Sequence, residues 1–403
     1  VDNTCSPGWE TEVVSYLGAP VAVRGLPAGL RARTPDERDV SAVVALLAAR
    51  RQPGDKPVDV EGTSANLVGI GSWTRRQVVV EDADGAVVAW AVGHDRAAGR
   101  TNVELVVTTT TTDPTSATTS DPTTDPTTDP TTATSADPTT DRRADEVARV
   151  LTRWLDETGA VLAALRGVDR TQLDATPSAT DLREQRWLAD AGYAPVRRWL
   201  QMTRPVSGAD ATAPDPRPGV RVRRVREHAS GLPVAADVQT VHQVLEESFA
   251  DHFNSYRESF AEFVQRLRED PWHRWDHWWI AEVEVDGQTQ PGGVVISSVS
   301  PPDAEGRFGS YVDYIGVHRR ARGRGIAKAL LATVVADAAQ RDRHWVGLEV
   351  DADSPTGADG LYRSLGWEVD HVTQSWHRYV DRARSDDQSV DQPTGSPQDD
   401  VAG

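Results

Sequence analysis

The chain has 403 residues, with 43 Lys and Arg against 61 Asp and Glu and a formal charge of −18. An acidic chain of this kind repels phosphate backbones, which argues against nucleic acid as a partner. No apolar run approaches the roughly 18 residues that a spanning helix needs, so no membrane segment is predicted, and the single Cys5 cannot close an internal disulfide, which fits a reducing, cytoplasmic setting.

This length implies two or three domains. Residues 1–29 show little pattern, lack the basic-then-apolar layout of a signal peptide, and are expected to form a disordered leader. A strand is predicted at Leu30–Arg33 and a helix at Pro35–Ala49, where Val40, Val43, Val44 and Leu47 share one face. Strands at Gln77–Val80 and Ala86–Val92 flank Asp84-Gly85, a hairpin-turn pair, and another follows at Thr101–Val107. From 108 to 140 the chain is almost wholly Thr, Asp, Pro, Ser and Ala, with Asp-Pro-Thr-Thr recurring at 121, 125, 129 and 137. With nothing apolar to bury, this insertion is predicted to be disordered. A helix is expected at Ala144–Glu157, a strand at Val161–Leu165, a helix at Asp181–Ala191, and a closing pair of strands over Tyr193–Arg204.

The Pro-rich segment 205–219 reads as a linker. The layout then repeats, with a strand at Val220–Val225, helices at Ala236–Phe253 and Ser259–Glu269, and strands at 278–285, 292–299 and 308–317. A helix at Ile326–Gln340, a strand at 345–350, a helix at 358–365 and strand material to Val380 complete it, before a polar tail at 381–403. The expected fold is α/β (α+β): two tandem copies, 30–204 and 220–380, each a mostly antiparallel mixed sheet flanked by helices.

Chemistry concentrates where the strand ending Ile315-Gly316-Val317 enters Arg322-Gly323-Arg324-Gly325-Ile326-Ala327-Lys328. Ile326, Leu330, Leu331, Val334, Val335 and Ala338 mark the following helix face. A helix N-terminus offers unpaired amides and a partial positive charge, which suit a phosphate. The glycines let backbone approach a ligand, and Arg319, Arg320, Arg322 and Arg324 add charge. A solvated basic turn capping an ordinary helix is the plainer alternative. The spacing is neither a Walker loop nor a dinucleotide fingerprint.

Arg-x-x-Gly-x-Gly/Ala between strand and helix, filled here by Arg322, Gly325 and Ala327, resembles the acetyl-CoA turn of the GNAT N-acetyltransferase superfamily. Leu348-Glu349-Val350-Asp351 followed by Leu361-Tyr362 and Gly366-Trp367 is similar to the family's second signature. The resemblance implies N-acetylation of an amine acceptor by acetyl-CoA, without a metal. It places the coenzyme on Ile315, Gly316, Val317 and Arg322 through Lys328. The usual coenzyme-contacting Asn is replaced around Ser354, which can still donate and accept. Tyr362 takes the place of the acid that serves the leaving thiolate. Many relatives carry a Glu where Tyr311 stands, so Asp313, on the same face by alternation, is the first candidate base and Glu349 the second. A salt bridge is the structural alternative for Asp313.

Trp272–Trp279 holds four Trp and two His, and reads either as an acceptor wall or as core; its histidines lack the further ligands of a metal site. The first copy has the insertion where the coenzyme turn belongs, and is expected to be degenerate. Tandem GNAT proteins with this arrangement include mycothiol synthase, and the chain resembles them. A non-catalytic acetyl-CoA-binding regulator is the other reading. Internal duplication fits a monomer.

Overall fold

The computed structural model describes residues 22–51, 57–97, 99–108, 138–250, 258–285, 287–353 and 357–383. Ser354, Cys5, most of the Thr/Asp/Pro insertion and most of the C-terminal tail lie outside these residues.

The first half supplies β1 (Arg31–Arg33), α1 (Val40–Arg50), α2 (Val60–Leu67), β2 (Arg75–Glu81), β3 (Val87–Ala97), β4 (Arg100–Val107), α3 (Pro138–Leu165), β5 (Arg170–Ala175), α4 (Leu182–Asp190) and β6 (Ala194–Pro205). The second supplies β7 (Val220–Arg224), α5 (Ala235–Phe249), α6 (Phe260–Glu269), β8 (Trp278–Val285), β9 (Gln288–Ser300), β10 (Gly309–Val317), α7 (Ile326–Gln340), β11 (Trp345–Asp351), α8 (Ala358–Ser364) and β12 (Glu368–Asp381).

Strand alternation sorts side chains to two faces in each half. In β2, Val78 and Val80 pack under α3, while Val79 faces α1 with Trp90 and Val92. In β8, Trp278 and Ile280 pack against α5 and α6, and Trp279 and Ala281 against α7. Leu330, Leu331 and Val334 of α7 are almost fully buried, so truncating either leucine to Ala would cost about 2–5 kcal/mol.

The two sheets are one. Strand order is β1-β2-β3-β4-β5-β12-β6-β11-β10-β9-β8-β7. The last strand of each half lies beside the fifth strand of the other: β12 pairs with β5, and β6 pairs with β11. β6 also pairs with β12. The expected boundary at 205–219 therefore follows a strand whose partners all belong to the second half.

Two predicted elements need correction, and one helix went unpredicted. The strand expected at Val161–Leu165 is the last turns of α3, which runs through Gly159. That glycine is a packing position: a Cβ there would stand 2.6 Å from Leu173 and 3.0 Å from Val380. The strand is Arg170–Ala175, central and buried yet polar. Its Thr171 hydroxyl meets that of Thr101 at 3.0 Å, and its Asp174 pairs with Arg100 at 2.6 Å and His377 at 2.9 Å. The closing pair over 193–204 is one strand, paired along one edge with β11 and along the other with β12. Finally, α2 went unpredicted because its sequence is polar and contains Gly62; Asp59 caps it through the Gly62 amide at 2.9 Å.

Candidate active site

β10 and β11 run parallel but pair over only three residues each, Ser310–Val312 with Val346–Leu348. Beyond that point β10 stays with β9 as far as Val317, and β11 stays with β6 as far as Asp351. The two strands diverge, and among the described residues the edge of β10 facing the gap has no ladder partner. Unpaired backbone groups in a cleft call for a ligand or water. The gap is a cavity of about 780 Å³ whose lining includes Ile315, Gly316, Val317, Arg322, Glu349 and Tyr362.

At the end of β10 a 3-10 turn, Arg319–Ala321, hands the chain to the Gly/Arg segment. Gly323 and Gly325 have φ of +78° and +81°, a conformation that favours glycine. Gly325 is the N-cap of α7 and supplies no side-chain acceptor. Elsewhere Asp59, Asp181 and Ser259 cap their helices with side-chain oxygens. Among the described residues no carbonyl accepts from the amides of Gly323, Arg324 or Gly325, and the amides of Ile326, Ala327 and Lys328 are first-turn orphans. Six successive free amides at a helix N-terminus form an anion cradle. Arg217 braces it from outside, donating to the Gly323 carbonyl at 3.1 Å. Arg324 is turned away, donating to the Glu284 carbonyl at 3.0 Å. Arg322 lines the cavity, whereas Arg319 and Arg320 are exposed. Gly316 lines the cavity too, and also lets α5 close on the strand: a Cβ there would stand 3.0 Å from the Ser248 hydroxyl.

Asp313 sits in a β-bulge, where the β9–β10 register shifts between Val312 and Tyr314. The shift interrupts the simple alternation used to place it, and turns its carboxyl onto Ser298, whose hydroxyl donates to Oδ1 at 3.1 Å. Oδ2 is buried without a partner, although the residue keeps some accessible surface. No salt bridge forms with Asp313 among the described residues. Burial, and then the negative charge of Asp270, push its pKa up to about 8. A carboxyl poised there suits a base working near neutral pH.

Tyr362 is buried, with its ring 6.2 Å edge-on from Trp367. Burial raises its pKa, so the phenol stays protonated. Glu349 is open to solvent in the concave surface, yet the surrounding protein also raises its pKa. It accepts from Gln201, whose carbonyl oxygen accepts from the Tyr311 hydroxyl at 3.4 Å. Gln201 belongs to β6, so the first half contributes a side chain that bridges two strands of the second. Sequence reading missed it because only the strand exchange brings it there.

A second cavity, of about 640 Å³, adjoins the first, and Asp270, Tyr311 and Leu348 line both. Its walls come from both halves, including Asp59, Asp181 and Glu184 from the first and Trp272, Asp370 and His371 from the second. Glu184 is pushed up to about 7 by burial despite Arg50, 3.3 Å away. The Trp/His run divides between its two readings. Trp278 and Trp279 are core, whereas Trp272 lines this second cavity and His273 the first. Burial holds His273 neutral, down to about 4. Among the described residues no cluster of three His, Cys, Asp or Glu could hold a metal, and no helix is long and apolar enough to cross a membrane.

A splayed parallel strand pair ending in an anion cradle, with tyrosine and carboxylic acids in the cleft, defines the class as an acyltransferase. The family model described as acetyltransferase (GNAT) family matches residues 242–367. A mycothiol acetyltransferase of Kocuria rhizophila is 30% identical over 221 residues, 53% of this chain and 69% of that protein. An uncharacterised N-acetyltransferase of Methanocaldococcus jannaschii is 28% identical over 151 residues, 36% of this chain and 66% of that protein. A GCN5-related N-acetyltransferase from Sphaerobacter thermophilus shares the fold with a TM-score of 0.60 at 22% identity, over 89% of this chain and 98% of that one. So does a tandem GNAT protein from the clavulanic acid biosynthesis pathway, with a TM-score of 0.56 at 14% identity, over 89% of this chain and 100% of that one. The chain belongs to the GNAT acetyltransferase family, in its tandem form.

Proposed function

We propose that this protein is an N-acetyltransferase that moves an acetyl group from acetyl-CoA to the primary amine of a small acceptor. The observation that carries the reading is the junction of two cavities at Tyr311, one ending in the amide cradle and the other lined by carboxylates. The cradle, Gly323 to Lys328 with Arg322, suits the pyrophosphate, and the open edge of β10 at Ile315–Val317 suits the amides of a pantetheine arm. An acid-lined second cavity favours a cationic amine.

In this reading Asp313 takes a proton from the bound ammonium, directly or through one water, and the free amine attacks the thioester carbonyl. As the tetrahedral species collapses the C–S bond breaks, Tyr362 gives its proton to the departing sulfur, and the extra proton on the attacking nitrogen passes through water to the phenolate, leaving a neutral amide and the CoA thiol. Gln201 holds the Tyr311 hydroxyl and the Glu349 carboxyl in place between the cavities. Likeness to a mycothiol acetyltransferase supports a thiol-precursor amine as one acceptor to try, and internal duplication supports a monomer. The test is a panel of amines with labelled acetyl-CoA, following CoA release and product. Coenzyme binding without CoA release for any amine, the thiol-precursor type included, would favour a non-catalytic acetyl-CoA-binding regulator.

A further inference from the structure

Glu269 is the last residue of α6 and is buried. Its carboxylate is held from the first half of the chain. It accepts from the Thr74 hydroxyl and from Arg75, each at 2.8 Å, and lies 3.2 Å from Nε2 of His94. Although burial works the other way, the hydrogen bonds from His94 and then Arg75 and Thr74 keep the carboxyl ionised, down to about 2. Two further contacts grip the same segment. Arg166, in the turn just after α3, meets Glu262 at 2.8 Å, and Asp59 accepts from the Trp272 indole at 2.9 Å. Between these anchors lies the partition of the site: Asp270 faces both cavities, Trp272 the second and His273 the first.

The halves do not need this cluster to stay together, because the exchange of β6 and β12 already joins them in one sheet. A buried carboxylate with three donors is also costly to assemble by accident, since each buried group must find a partner. We propose that the first copy is a positioning partner in the transfer reaction: Thr74, Arg75 and His94 fix Glu269 and thereby set where Asp270 to His273 stand between the two cavities. This rests on the transfer reading given above. Displacement of the segment moves the Asp270 carboxylate relative to Asp313 and widens the passage at Tyr311, while the amide cradle at α7 is untouched.

The experiment uses the full chain carrying Arg75→Met, Arg75→Lys or Thr74→Val. In Arg75→Met, kcat with a working acceptor falls about tenfold to a hundredfold, the scale of a misplaced reacting group, while acetyl-CoA affinity by calorimetry stays within about twofold of wild type. Arg75→Lys restores most of the loss, and Thr74→Val, which folds more readily, shows a several-fold loss of the same kind. Amide exchange speeds up over 262–273 but not over α7. Wild-type kcat per folded molecule in both Arg75→Met and Thr74→Val overturns the proposal, as does a parallel loss of coenzyme affinity and kcat. A wild-type chain that transfers to no amine sinks the transfer reading instead, and exchange over 262–273 then decides the clamp by itself.

Discussion

Asp313→Asn separates the electrostatics of the base from its chemistry. Its carboxyl is raised from 3.8 to about 8, first by burial and then by Asp270. The sign is opposite to that of a salt-bridged acid. Between these values the folded protein holds a proton that the unfolded chain releases, so stability falls as pH rises across that window and is level outside it. Four units at about 1.4 kcal/mol each set a ceiling of about 5–6 kcal/mol. Because the residue keeps some surface toward the cavity, screening brings this to on the order of 3 kcal/mol. Asparagine mimics the protonated form at every pH and keeps the oxygen that accepts from Ser298. The variant should therefore match wild type near pH 4 and become more stable by about 3 kcal/mol at pH 8 and above. Urea unfolding of both proteins at a series of pH values measures the gap. In turnover, wild type gains activity as pH rises through about 8, while the variant loses that dependence and about a hundredfold or more of rate. A stability gap that is flat with pH, or a variant less stable than wild type at pH 8, would refute the assignment of a desolvated acid.

Ala327→Glu should abolish acetyl-CoA binding without harming the fold, because an acidic residue in the first turn of α7 favours the helix while its carboxylate repels the pyrophosphate; unchanged affinity by calorimetry removes the cradle from the site. Gly325→Glu is the poorer probe, since φ of +81° and a Cβ position 3.1 Å from Arg217 would strain the backbone as well. Tyr362→Phe should lower turnover about tenfold to a hundredfold with coenzyme affinity unchanged, and unaltered turnover would leave Tyr362 a packing residue. Calorimetric titration of the full chain should find one acetyl-CoA per chain, because the described part of the first copy offers no counterpart to the Gly323–Lys328 amides; two equivalents would show that it binds coenzyme after all.

Helices and strands that bury one face were legible in the sequence. α7 matches its predicted span because Ile326, Leu330, Leu331 and Val334 recur at helical spacing up to a glycine N-cap. The anion cradle was legible for a related reason, since its glycines and arginines are adjacent in the chain. β5 was not, because a central strand that hides Thr171, Gln172 and Asp174 among buried polar partners lacks the apolar alternation that marks strands. Nor were Ser298 and Asp270, whose importance lies in a bulge and a helix end that bring them to Asp313. Periodicity reports what a segment does alone, whereas these residues act through pairings decided elsewhere.

Strand exchange ties the two copies into one structural unit. In the sheet order β5-β12-β6-β11, removing the first half would strip β6 from between β11 and β12, and with it Gln201, leaving Tyr311 and Glu349 without their bridge. Removing the second half would leave one edge of β5 and both edges of the twelve-residue β6 unpaired in a fragment ending near residue 205. Neither half is a separable unit, because each completes its sheet with strands of the other. Among the described residues the first copy shows no counterpart to the Gly323–Lys328 amides. It keeps the shared sheet, the walls of the second cavity at Asp59, Asp181 and Glu184, and the donors that hold Glu269. Those three features all face the second copy, so residues of the first half shape the space beside Tyr311 and the segment that bounds it.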